Sequence, residues 1–128
     1  MNLLIDTQLL LWTAGQTARM PRRAAELIDN PSSKLFFSVV SVWEIAIKRG
    51  LNRPDFVVEP RVLRRNLLDA GYEELPVLAP HALEVQMLPP IHGDPFDRLL
   101  LAQAMTEGLT LLTTDTQLAR YPGPILSV

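Results

Sequence analysis

Cysteine is absent from the 128 residues, so the chain can form no disulfide, thiolate metal site or thiol nucleophile. Packing and hydrogen bonds must hold the fold together. No apolar run approaches the ~20 residues of a membrane-spanning helix, because Asp6, Arg19, Glu44 and Asp97 interrupt the richest stretches. A membrane partner is therefore not expected. The opening Met1-Asn2-Leu3-Leu4-Ile5-Asp6 lacks the basic start and long apolar core of a secretory leader, and a cytoplasmic protein is expected. Excess positive charge is also missing: the net charge is −2 and the pI near 5.6, so any contact with nucleic acid must be local rather than the work of a general field. No Gly-x-Ser-x-Gly elbow or P-loop occurs, which argues against nucleophilic hydrolases and nucleotide-binding ATPases. Nor does any lysine follow Lys48, as a phosphate-accepting receiver domain would need, and Gln8 stands where a haloacid-dehalogenase-type phosphatase would carry a second aspartate.

Apolar residues make up 48% and charged residues 20%, the balance of a soluble globular chain. The length suits one core, and no repeat, linker or low-complexity segment divides it, so residues 1–128 are expected to form a single domain. Asn2 to Ile5 reads as a buried strand and Thr7 to Ala14 as a helix behind it. Pro21 to Asp29 begins with a proline suited to a first helical turn and stops before Asn30-Pro31. Leu35 to Val40 has strand-forming aromatic and β-branched residues, after which a helical period runs from Ser41 to Gly50. Further helices are expected over Pro60 to Ala70, Pro80 to Leu88 and Pro95 to Glu107, with a short one over Thr116 to Arg120. Glu74 to Leu78 reads as an edge strand because of Pro76, Leu109 to Thr113 as a buried strand, and Pro124 to Val128 as a terminal one. Strands alternating with helices predict an α/β fold with a mainly parallel sheet covered on both faces.

Ligand sites in such sheets lie beyond the carboxyl ends of the strands, where strand order reverses. Asp6 and Asp115 each end a strand, and Asp97 sits in the first turn of a helix, so all three are expected at that rim. Glu44 lies among Val42, Trp43, Ile45 and Ala46, a setting in which an unpaired carboxylate needs a cation. Crowded carboxylates take up protons unless positive charge compensates them. An all-oxygen set with two histidines in the whole chain favours Mg²⁺ or Mn²⁺ over zinc, and such ions suit phosphodiester hydrolysis.

Each acid also has a plainer use. Asp6, Asp94 and Asp115 could cap the helices that follow them, and Glu44 could pair with Lys48 at i+4. His92, in a Pro/Gly loop, reads as a solvated side chain, and His81 as structural. The weight rests on the set of four.

In order, Leu3-Leu4-Ile5-Asp6-Thr7, Ser41-Val42-Trp43-Glu44-Ile45, Asp94-Pro95-Phe96-Asp97-Arg98-Leu99-Leu100 and Leu112-Thr113-Thr114-Asp115 resemble the acidic motifs of PIN-domain ribonucleases, most of all VapC-type toxins of toxin–antitoxin pairs. The resemblance implies a three-layer α/β/α sandwich, Mg²⁺ or Mn²⁺ at the acids, endonucleolytic cleavage of RNA, inhibition by an antitoxin protein and a homodimer. By position, Asp6, Glu44 and Asp97 match the family's principal metal-binding acids, Asp115 the more variable fourth, and Thr113 a small polar position near the centre. Asp94 is an extra acid found in one subgroup. The competing expectation is a catalytically silent module that keeps this fold to bind RNA or a protein.

Overall fold

The computed structural model describes residues 1–128, and its centre is the strand that the sequence announces first. Strand β1 (Asn2–Ile5) buries Leu3, Leu4 and Ile5 completely, as a strand covered on both faces must. It lies between β2 (Lys34–Ser38) and β4 (Thr110–Thr113), with β3 (Glu73–Leu75) and β5 (Ile125–Ser127) at the edges, and every pairing is parallel. The order β3-β2-β1-β4-β5 means that the chain builds outward in one direction, then returns to the other side of β1. The reversal falls between β1 and β4.

Alternation along the strands divides the interior into two cores. Leu3 and Ile5 of β1 with Leu112 of β4 face a cluster filled by Leu9, Leu10 and Leu11 of α1 (Thr7–Gly15), Ala24 of α2 (Arg22–Asp29), and Leu63 and Leu67 of α4 (Pro60–Asp69). Leu4 and Leu111 face the opposite cluster, with Leu100, Leu101 and Ala104 of α6 (Pro95–Glu107). Helix α3 (Val39–Gly50) contributes Val40 to one core and Ile45 to the other. Two helical layers on one sheet are the expected α/β/α sandwich. No helix is long and apolar enough to cross a membrane.

The differences from the sequence reading are local. Helix α3 begins at Val39 rather than Ser41, because Ser38 Oγ accepts the Val40 amide at 3.0 Å and ends the strand there; β-branched Val39 and Val40 had extended it on paper. Pro21 precedes α2 as its N-cap instead of occupying the first turn. The edge strand β3 stops at Leu75, one residue before Pro76. The helix expected over Pro80 to Leu88 is α5 (Ala79–Glu84) followed by a 3₁₀ turn at Val85–Met87, and the one over Thr116 to Arg120 is only a 3₁₀ turn at Leu118–Arg120. Helix α6 is as expected, opened by Asp94 and Pro95 and closed by Gly108 in the left-handed conformation at φ 68°.

Candidate acidic site

Asp6 follows β1 directly and is 4% exposed. Its Oδ1 accepts the Leu9 amide at 2.9 Å, capping α1, and its Oδ2 accepts a hydrogen bond from Thr113 Oγ1 at the end of β4. The plainer reading of Asp6 as a cap is thus correct for one oxygen and incomplete for the other. Thr113 Oγ1 also accepts the Asp115 amide at 3.0 Å. A single hydroxyl therefore spans the crevice where strand order reverses, with Asp6 on one side and Asp115 on the other.

Glu44, on α3, is 5% exposed, and its charge is felt at Asp97. Lys48 Nζ lies 2.5 Å from its Oε2, so the i+4 partner is real, yet the pair is buried rather than superficial. Glu44 Oε1 is buried without any hydrogen-bond partner. Thr7 Oγ1 donates to Ser41 Oγ at 2.9 Å in the interior and ties the first turn of α1 to that of α3.

Asp94 and Asp97 come from the start of α6. Asp94 Oδ1 accepts the amides of Phe96 at 2.8 Å and Asp97 at 3.3 Å, which makes Asp94 the N-cap and leaves Asp97 free to project. Asp115 Oδ1 accepts the amides of Gln117 at 2.8 Å and Leu118 at 3.1 Å, so it too caps the turn behind it with one oxygen. Its Oδ2 lies 3.1 Å from His92 Nε2, and Asp97 Oδ2 lies 3.1 Å from the same nitrogen. His92 is thus no solvated loop residue. Its Nδ1 accepts the Asp94 amide at 3.2 Å, and its own amide donates to Tyr121 Oη at 2.9 Å, which fixes the loop. Arg98 Nη1 donates to the same tyrosine oxygen at 2.9 Å. Nothing near His92 in sequence announces these contacts, since Asp115 and Tyr121 lie on the far side of α6 and β4.

The charges interact. Burial above all pushes the Asp6 carboxyl up to about 6, against the hydrogen bonds from Thr113 and Leu9. Burial, then the charges of Asp94, Glu44 and Asp115, push Asp97 up to about 7, with His92 pulling the other way. Asp115 is lowered: burial opposes its ionisation, but the Leu118 amide, the His92 contact and the Gln117 amide outweigh it. The centre holds more negative charge than Lys48 and one imidazole can offset. An orphaned carboxylate oxygen on Glu44, together with Asp97 resisting ionisation, marks a surplus of negative charge that a cation would offset. The donors fit a hard divalent ion. A cavity of about 570 Å³ lies elsewhere, lined by Met20, Ile28, Leu35, Leu63, Leu67 and Tyr72 among others, and none of the four acids borders it.

His81, expected to be structural, is 1% exposed and joins Glu107 Oε1 at 3.2 Å, away from the acids. Gln103, fully buried on α6, accepts from Ser38 Oγ at 2.5 Å and donates to the Pro76 carbonyl at 3.2 Å, locking the helix to the ends of β2 and β3.

The model of the PIN domain family matches residues 3–124. No curated protein sequence matches the chain. Among solved structures, a chain of VapBC2 from Rickettsia felis, bound to a DNA fragment from its promoter, superposes with a TM-score of 0.75 at 12% identity, covering 100% of this chain and 99% of that one. A chain of DNA-bound VapBC from Salmonella typhimurium gives 0.67 at 18% identity, with 99% and 98% covered. A chain of FitAcB from Neisseria gonorrhoeae gives 0.61 at 20%, with 91% and 89% covered. At these identities the likeness is one of fold.

Proposed function

This chain belongs to the PIN domain family, and from that premise we propose that it is a divalent-metal-dependent endoribonuclease, the toxin of a toxin–antitoxin pair. What supports the proposal is the electrostatic linkage of acids from four separate segments: the charges of Glu44 and Asp115 are felt at Asp97, that of Asp115 at Asp6, and one Glu44 oxygen is buried without a partner. These four side chains would hold Mg²⁺ or Mn²⁺. A bound ion supplies Lewis acidity, making water more acidic and offsetting the charge that grows on phosphate oxygens during in-line displacement.

The chain's own groups prepare that chemistry. Thr113 and the Leu9 amide keep Asp6 oriented and favour its ionised form. Between Asp97 Oδ2 and Asp115 Oδ2, the His92 imidazole can hold a proton at Nε2. Lys48 limits repulsion at Glu44 and leaves its other oxygen uncommitted. The VapBC assemblies to which the fold is similar support a small antitoxin as a partner. The same reading includes a homodimer, for which the chain has exposed apolar side chains such as Leu51, Leu83 and Met87. We assign the protein to the cytoplasm on the same reading.

The test is cleavage of RNA by the purified protein. Mg²⁺ or Mn²⁺ should be required, EDTA should stop the reaction, and Asp6→Asn should lower it at least about a hundredfold with the fold retained. Equal cleavage by the parent and Asp6→Asn would assign the activity to a contaminant. The Glu44–Lys48 pair favours a second reading, a silent binding module, and RNA left intact by the metal-supplied parent would decide for it.

A further inference from the structure

Trp43 is 55% exposed, although an indole in water forgoes most of the stabilisation its burial would give. It is nevertheless fixed in place. Its ring meets Phe96 edge-on, with centroids 5.1 Å apart and planes at 70°. Trp43 immediately precedes Glu44, and Phe96 immediately precedes Asp97. Lys48 Nζ closes the path, 2.5 Å from Glu44 Oε2 and 5.5 Å from the centre of the Phe96 ring. Carboxylate, ammonium, phenyl ring and indole thus form one continuous run from the acidic site to the surface.

We propose that Trp43, braced by Phe96, is a stacking platform for an unpaired base of the RNA substrate beside the acidic centre. The proposal deepens the nuclease reading and rests on it. With a net charge of −2 the chain cannot hold RNA through a broad positive field, and the acids repel phosphate where no cation offsets them. Affinity must come from local contacts, and an aromatic face offers any base one that does not depend on charge. In a duplex both faces of each base are covered by its neighbours, so such a platform selects single-stranded stretches or loops. Because Phe96 already holds the indole, little freedom is lost when a base arrives. The α3 surface continues through Ile47 and Leu51, which are also exposed, so a second copy of the chain is the rival occupant.

The experiment uses the full chain with Asp6→Asn, so that RNA survives, and with Trp12→Phe, so that Trp43 is the only tryptophan. Short oligouridylate and oligoadenylate are titrated in Mg²⁺ and followed by fluorescence anisotropy and by Trp43 emission. Saturating single strand should quench Trp43. Trp43→Ala should weaken binding about tenfold, while Trp43→Phe, which keeps an aromatic face, should weaken it by less than about threefold. A fully paired duplex should show no dependence on residue 43. Absent RNA binding, unchanged emission, or equal affinity of Trp43→Ala and its parent would overturn the platform. So would sedimentation showing that Trp43→Ala separates a dimer while affinity per chain is unchanged, which gives the surface to a second copy. Failure of the nuclease reading is recognised separately, as cleavage indifferent to Asp6→Asn.

Discussion

Thr113 Oγ1 donates a hydrogen bond to Asp6 Oδ2 across 107 positions of sequence, joining the end of β4 to the residue after β1. The bond favours the charged carboxylate, and Asp6 needs that help, since burial pushes it up to about 6. Thr113→Val keeps the shape and removes the donor. The acid limb of the RNA-cleavage profile should then move upward by about one pH unit, with about a tenfold loss near pH 5 and only about a twofold loss at pH 7. Thr113→Ser should restore most of it. Superimposable profiles for parent and Thr113→Val would show that Asp6 does not depend on this hydroxyl.

Without metal, the site should make the protein less stable as pH rises. Asp6 and Asp97, raised from 3.8 to about 6 and about 7, bind protons in the folded chain over a range where the unfolded chain has released them. The stability this confers is present at the acid end and is lost as pH climbs from about 4 through 7. On a scale of ~1.4 kcal/mol per pH unit and group, the metal-free protein should lose on the order of 3 kcal/mol between pH 5 and pH 8. Denaturant titrations in EDTA measure this directly. Asp97→Asn should flatten the dependence, and Mn²⁺ should restore stability at pH 8; a curve rising with pH would contradict the assigned charges.

Lys48→Met should reveal how far Glu44 depends on its partner. The substitution keeps much of the side-chain stem but removes the ammonium that lies over Phe56 and Phe96, and leaves Glu44 as a buried unpaired charge. A loss of about 3 kcal/mol is expected in urea unfolding without metal. Saturating Mg²⁺ should recover part of it, whereas Lys48→Met combined with Glu44→Gln should recover most. A Lys48→Met loss within measurement error would show that Glu44 does not depend on this partner.

His92 stands where Asp97 and Asp115 would share a cation. An imidazole donating to these oxygens relieves their repulsion in metal-free protein and would compete with an ion for them. His92→Ala should accordingly bind Mn²⁺ several-fold more tightly by calorimetry. Weaker binding by the variant would make His92 a ligand instead.

The sequence made the strands and their terminal acids readable because a buried parallel strand is an unbroken apolar run, and Asp6 and Asp115 stand where β1 and β4 stop. Helix α6 was readable from its cap, proline and closing glycine. What it hid depends on tertiary neighbours. His92 sits in a segment that looks solvated, and only the apposition of α6 and β4 brings it between two carboxylates. Glu44 and Lys48 have the spacing of a surface pair, and nothing local reveals that the pair is buried. The true start of α3 was masked by Val39 and Val40, whose strand preference yields to the cap at Ser38.

Because β4 inserts beside β1, the sheet cannot be closed at its middle until β4 has left the ribosome. A chain still emerging from a ribosome with Thr113 inside the exit tunnel has Asp6 outside it without its hydroxyl donor and without Asp115 beside it. The order of the strands thus makes the acidic centre wait for residues 113–115, although Asp6 and Glu44 have emerged and begun to fold long before.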